Sequence, residues 1–363
     1  METLSARTRA ILLPLAIAAA FPSTSGAQAP ALRETVVTAT RFPDEARGLP
    51  FGVSVVTAED IRRSGASSVN QALMRVLGVV GRQDLFGGGE YNLDLRGFGS
   101  TADVNQVIVV DGVRMSEADL GGTRLAAIPI ESVERIEVLR GSGAVLYGEG
   151  ATGGVIVITT KAGAGKARPN GASVYGAVGT HHLRDLRASA NVGGGGFSLD
   201  VNGHKRDSDN HRANFRSELD AVSATGQWSG DRVRLGARIG GDDLDTGLPG
   251  GVSAEQFQAA PAQATTPGDR ASIRNERLGV FGELHLGPWM LGLDAGRRDK
   301  ALRSTSALGD FDYDIDASNV SLRARHQATI AGAANLLTLG VDTQHWTRDI
   351  LGPFGARATQ SNR

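Results

Sequence analysis

The chain has 363 residues, 40% hydrophobic and 21% charged, with a net charge of -1, 49 glycines and no cysteine. A single core rarely grows past roughly 250 to 300 residues, so two structural units are expected. The neutral balance argues against nucleic-acid binding through bulk charge, and the absence of cysteine excludes disulfides, thiolate metal sites and cysteine nucleophiles. No apolar run reaches the ~20 residues of a membrane helix, which leaves a membrane β-barrel allowed.

Residues 1–27 read as a secretory signal. Arg7 and Arg9 give the basic region, 11–20 the apolar region, and Ser25-Gly26-Ala27 the small-x-small cleavage site. The mature chain is therefore expected to leave the cytoplasm. Residues 28–45 form a polar linker around an extended β-branched segment, 34–40, closed by Pro43. An unpaired strand in a tether is available for pairing with a partner.

Residues 46–168 read as a compact α+β domain. A strand is expected at 53–57 and helices at 58–64 and 67–77, the first opened by Thr57 with Asp60 three residues on, a capping-box spacing. The continuous β-branched runs 107–110 and 155–160 suit buried central strands. From 169 to 363 the period becomes two. Val233, Leu235, Ala237 and Ile239 alternate with Arg232, Arg234 and Arg238, and the same pattern recurs around 186–192, 197–202, 278–286, 289–295, 320–330 and 337–341. Such alternation fits a soluble sandwich and a membrane barrel alike. The connections favour the barrel, because short turns (193–196, 229–231, 287–288, 331–335) alternate with long loops (207–216, 244–271, 301–311). Trp228, Trp289 and Trp346 are expected at lipid interfaces, about nine strands are expected in all, and a bulge is expected near Ser318, where the alternation of 310–316 runs out of phase with 320–330.

Two motifs are decoys. Gly148-Glu149-Gly150-Ala151-Thr152-Gly153 matches a dinucleotide fingerprint, but the β-branched strand after it replaces the helix that the fingerprint needs. The acidic run 310–316 starts like a calcium loop, yet Ile315 stands where glycine is required. The seven histidines lack metal-site spacing and read as solvated or interfacial. No metal site, cofactor or catalytic activity is expected.

Several motifs occur together in order: RETVVTATR at 33–41, NLDLRGFG at 92–99, VIVVDGVR at 107–114, and the long run 128–161 that contains VERIEVLRG and GATGGVIVITTK. With them the chain resembles the N-terminal part of a TonB-dependent outer-membrane receptor. The resemblance implies a TonB box, an α+β plug domain inside a transmembrane antiparallel β-barrel, a place in the outer membrane, and active import driven through TonB. A ferric siderophore is the expected ligand, with cobalamin, another metal chelate or a small redox cofactor as alternatives. It implies TonB binding by Glu34, Thr35, Val36, Val37, Thr38, Ala39 and Thr40 through added-strand pairing. It points to ligand contacts among the plug's apical residues Arg82, Gln83, Phe86, Tyr91, Arg114 and Arg124, and to Arg96 and Arg140 as anchors of plug to barrel. No nucleic acid is expected as a partner. About nine strands fall short of the ~22 that enclose a plug, so a fragment, or a transport-incompetent product that binds ligand or partner, is the other expectation.

Overall fold

The computed structural model describes residues 36–37, 41–42, 44–45, 52–116, 122–141, 146–165 and 168–362. The expected signal segment and Glu34, Thr35, Thr38, Ala39 and Thr40 lie outside the described residues. The short strand β1 (Val36–Val37) pairs antiparallel with β2 (Asp44–Glu45), so at these two positions the segment expected to be unpaired already has a partner within the chain.

The plug follows. Strand β3 (Val53–Thr57) leads into helices α1 (Ala58–Ser64) and α2 (Val69–Leu77), and then come the hairpin β4 (Val80–Gln83) and β5 (Tyr91–Asp94). Strands β6 (Gln106–Val110), β7 (Val113–Arg114), β8 (Val133–Leu139) and β9 (Gly154–Thr160) complete it. They form a five-stranded sheet in the order β3-β8-β9-β6-β7, with β9 central and parallel to β6. Thr57 caps α1 in the expected box with Asp60, and Ser68 caps α2. The β-branched run of β9 is apolar at consecutive positions because both faces are covered. Ile156 and Ile158 join the cluster beneath the helices with Val56, Leu73 and Ile136, while Val155 and Val157 pack on the opposite face with Val107 and Tyr147. The 148–153 glycines precede this strand, and Gly148 and Gly150 take left-handed φ values of 70° and 84° as turn residues.

Ten antiparallel strands make the wall, in sequence order: β10 (Gly171–Val178), β11 (Arg184–Gly194), β12 (Phe197–Ser208), β13 (Ser217–Ser229), β14 (Val233–Gly247), β15 (Arg270–Leu286), β16 (Trp289–Thr305), β17 (Asp312–Ile330), β18 (Ala333–Leu351) and β19 (Arg357–Asn362). A six-residue helix, α3 (Ala254–Ala259), lies in the β14–β15 loop. Among the described residues the sheet is open, with β10 and β19 at opposite edges. The count is ten rather than nine, and the strands run further into the long loops than alternation suggested.

The expected bulge near Ser318 is absent. Pairing of β17 with both neighbours runs without a shift, Arg297 opposite Ser318 and Ser318 opposite His345. One face of β17 carries Asp314, Asp316, Ser318, Val320 and Leu322; the other carries Tyr313, Ile315, Ala317, Asn319 and Ser321. The chemistry inverts because the surroundings do. Toward the short-turn end the outward face is apolar. Toward the long-loop end it turns charged, as in β15 (Arg274 and Glu276, then Leu278 and Val280) and β16 (Arg297 and Asp299 after Leu293 and Ala295). There the inward face gathers an apolar cluster of Leu219, Leu244, Ile273, Leu302, Tyr313 and Ile315. A strand that leaves lipid for water needs no register change to do this. Trp228 and Trp289 are outward at strand ends, but Trp346 packs against that inner cluster, which corrects its expected interfacial place.

Candidate functional site: the contact between plug and wall

The segment after β1 is held on two sides at once. Arg41 donates to the Leu146 carbonyl at 2.7 Å and to Asp342 of β18 at 2.8 Å, and its guanidinium lies 4.1 Å from the centre of the Tyr147 ring. Phe42, 4% exposed, sits beneath Arg323 and Arg325 of β17, at 5.8 and 4.7 Å from their guanidinium carbons. Arg41 has a φ of 76°, a left-handed conformation that a non-glycine residue adopts only where its contacts hold it.

The motifs explain themselves geometrically. In NLDLRGFG the Asp94 carboxylate accepts N–H bonds from Arg96, Gly97, Phe98 and Gly99, at 2.6 to 3.1 Å. Burial opposes ionisation there, but the donors outweigh it and hold Asp94 below the usual carboxylate range. In VIVVDGVR, Asp111 accepts from the Thr160 backbone N–H at 2.8 Å and hydroxyl at 2.7 Å, tying the β6–β7 turn to the end of β9. Gly112, at φ 85°, lets that turn touch the wall: a Cβ there would lie 2.7 Å from the Asp294 carboxylate carbon of β16.

The expected ligand residues fall into different settings. Arg82 and Gln83 lie exposed on β4. Phe86 is half-buried against the wall's apolar cluster, and Tyr91 against the plug core. Arg114 is a brace within the plug, donating to the carbonyls of Ser116, Tyr147 and Glu149 at 3.1, 3.3 and 2.7 Å. Arg124 is enclosed, its side chain 3% exposed and 3.8 Å from Asp242 of β14. The structure thus brings Phe86 and Arg124 to the wall together and leaves the others apart. Of the expected anchors, Arg96 reaches the Thr152 carbonyl at 3.5 Å and Arg140 is exposed; neither is paired with a carboxylate among the described residues.

Plug and wall are joined by a different set. Arg187 of β11 binds plug Glu131 at 2.7 Å and its own strand's Asp185 at 2.7 Å, and stacks 4.1 Å from the Tyr175 ring. Arg234 donates to the carbonyls of Ala162 and Gly163 at 2.9 and 3.0 Å, and Arg238 donates to the Asp111 carbonyl. His204, expected to be solvated or interfacial, is 6% exposed, with its Nε2 3.3 Å from Asp185. Inside the plug, Glu90 accepts from Asn70 of α2 at 2.6 Å and from the Ala126 N–H at 2.8 Å. Burial pushes its carboxyl up to about 7 despite nearby Arg124. Sequence reasoning missed Glu90, Glu131 and Gly112. Only Gly112 carried a local signal, as the Asp-Gly turn between two β-branched segments.

Residues 45–155 match the family described as TonB-dependent Receptor Plug Domain. The vitamin B12 transporter BtuB of Vibrio cholerae is 34% identical over 157 residues, 43% of this chain and 25% of that protein. Its counterpart in Photobacterium profundum is 38% identical over 125 residues, 34% of this chain and 20% of that protein. The chain thus matches a quarter or less of the length of these relatives. Among solved structures, the unliganded ferric citrate transporter FecA superposes with a TM-score of 0.72 at 18% identity, covering 86% of this chain and 49% of that one. The ferric yersiniabactin uptake receptor FyuA of Yersinia pestis gives 0.69 at 16% identity, covering 84% and 50%. The chain therefore holds a TonB-dependent receptor plug domain, followed by an open ten-stranded sheet with the fold of those receptors' barrels, and its place is the outer membrane.

Proposed function

We propose that the protein takes part in TonB-dependent active import across the outer membrane, with residues 34–40 as the segment that TonB grips. The ligand in this reading is a ferric siderophore. The observation that carries it is the Arg41–Phe42 clamp, which follows that segment directly and touches plug and wall together. A pull on an added strand at 34–40 would be delivered to Leu146 and Tyr147 of the plug and to Asp342 of the wall at the same point. Strand addition asks little of side chains and much of backbone donors.

The test is Val37→Pro, which removes one donor from the strand. Uptake of radiolabelled ferric siderophores should be lost in a host lacking its own receptors, while surface binding stays unchanged; uptake that persists would refute the reading. Cyanocobalamin belongs in the same panel, since the sequence relatives carry vitamin B12 in their name. A second reading is binding of ligand without transport. Tight calorimetric binding of ligand by residues 28–168, with no uptake by the full chain, would select it.

A further inference from the structure

The hairpin turn between β4 and β5 ends on Glu90, whose carboxyl is enclosed in the plug. One of its oxygens accepts from the Asn70 amide of α2 at 2.6 Å, the other from the Ala126 N–H at 2.8 Å. The carbonyl oxygen of that same amide is buried and receives no hydrogen bond among the described residues. An ionised carboxylate has only acceptors to offer it, whereas a protonated carboxyl carries a donor.

Arg124 stands beside Glu90 at the boundary between plug and wall, and is the cation that acts on it most. Its side chain is enclosed, yet Nε and Nη2 have no hydrogen-bond acceptor among the described residues, and Asp242 of β14 lies 3.8 Å from Nε. Asp242 is incompletely bonded as well. Its Oδ2 accepts from Asn275 at 2.7 Å, while its Oδ1, 3.4 Å from Arg277, takes no hydrogen bond. A buried guanidinium with open nitrogens is costly unless a second carboxylate is within reach. Ionised Glu90 is that carboxylate. The tip of the hairpin depends on the outcome, because Gly88 is wedged between Arg124 and the wall: a Cβ there would lie 3.1 Å from Nη2 and 2.7 Å from Leu244.

The other charges around the pair come from both units. Asp84, at the start of the hairpin, accepts the Phe86 N–H at 2.8 Å and faces Arg124 and Lys300. Lys300 of β16 donates to the Gly122 carbonyl at 3.4 Å, and Arg206 of β12 lies against Gly89 and 3.7 Å from Asp185. Burial pushes the Glu90 carboxyl up to about 7, so its charge changes near neutral pH.

We propose that Glu90, Arg124 and Asp242 form a proton-operated coupling between plug and wall. While Glu90 holds its proton, Arg124 serves Asp242 and seats the hairpin 84–90 against β14. When the proton leaves for solvent, Glu90 draws Arg124 back into the plug and the seat loosens. The inference stands without the import reading, since it concerns only how the two units are joined.

Hydrogen exchange of the full chain in lipid vesicles reads the seat, because the amides of Asp84, Gly87 and Glu90 are hydrogen-bonded within the hairpin. Their protection, corrected for the intrinsic pH dependence of exchange, should fall about tenfold between about pH 5.5 and 8.5, with its midpoint near 7. Glu90→Gln should show no such fall. Asp242→Asn removes the wall's charge at nearly constant size and should bring the acid-side protection down to the alkaline value. A flat wild-type profile, or a fall that survives in Glu90→Gln, overturns the assignment to Glu90. A fall of undiminished size in Asp242→Asn means that Glu90 acts within the plug alone and overturns the coupling. The wild-type profile and Asp242→Asn decide the matter even if Glu90→Gln does not fold.

Discussion

Plug and wall solve opposite problems. The plug buries Leu73, Ile136, Ile156 and Ile158 and places most of its charges at its surface, as a soluble domain does. Over its lipid-facing half the wall turns Leu278, Leu293 and Leu322 outward, and it holds Asp185, Arg187 and Asp294 inside. The two units therefore meet through charge and backbone carbonyls more than through apolar surface. That difference suits a domain that must stay seated and yet move: an ionic contact keeps its register but can be exchanged for water, whereas an interdigitated apolar core resists separation.

The comparison breaks most visibly at Arg187, which is 3% exposed and bonded to Glu131 and Asp185 together. Arg187→Ala leaves both carboxylates without this partner and should cost about 3–5 kcal/mol at the plug–wall contact. A double-mutant cycle with Glu131→Ala, read from urea unfolding, should show strong coupling between the two. Additive effects would mean that the pair does not seat the plug.

Glu90 tests the plug's own interior. Its carboxyl, raised to about 7 by burial, faces Asn70, the Ala126 N–H, Arg124 and Asp84. Because the folded value lies above the unfolded one, the folded plug holds a proton that the unfolded chain releases first. The stabilisation is full below about pH 4.5 and fades as pH rises toward 7, by about 3 kcal/mol in all. Glu90→Gln should lose this slope, because its amide does not titrate. A wild-type stability that does not fall between pH 5 and 7 would refute the assignment.

The wall's inversion of phase makes a smaller and sharper test. Leu322→Arg, outward on β17 beside lipid, should cost about 2 kcal/mol, while Ser318→Arg, four residues along the same face beyond the lipid, should be nearly neutral. The comparison is made by urea titration of protein refolded into lipid vesicles. Equal costs would mean that the boundary does not lie between them.

The same inversion marks what was legible in the sequence. Helix starts, the buried run of β9 and the period-two strands depend on neighbours in sequence and were readable from it. The bulge near Ser318 was inferred from a change of alternation that is really a change of solvent, which no local pattern separates from a slip in register. Trp346 was misplaced for the same reason. The plug–wall contacts were largely invisible because Arg187 and Glu131, or Arg41 and Asp342, lie far apart in the chain. Arg114 shows the reverse error: an arginine in an apical segment looks like a ligand contact until its carbonyl partners are placed.

The smallest effect contrasts two helix caps, one in each unit. At α1 the Thr57 hydroxyl accepts from the Asp60 N–H at 3.2 Å, and the Asp60 carboxylate accepts from the Thr57 N–H at 3.0 Å and its hydroxyl at 2.7 Å. At α3, Ser253 and Gln256 make the same reciprocal pair, yet that helix buries none of its residues, whereas α1 buries Ile61. Thr57→Ala should therefore lower the stability of the plug by about 1 kcal/mol, and Thr57→Ser should restore most of it. Ser253→Ala should leave the global transition where it is and show only as faster amide exchange within 253–260, because an exposed loop helix opens locally without taking the sheet with it. If the two alanine variants shifted the transition equally, the loop would be part of the wall's cooperative unit, and the division between a tightly coupled plug and a wall with independent outer loops would have to be redrawn.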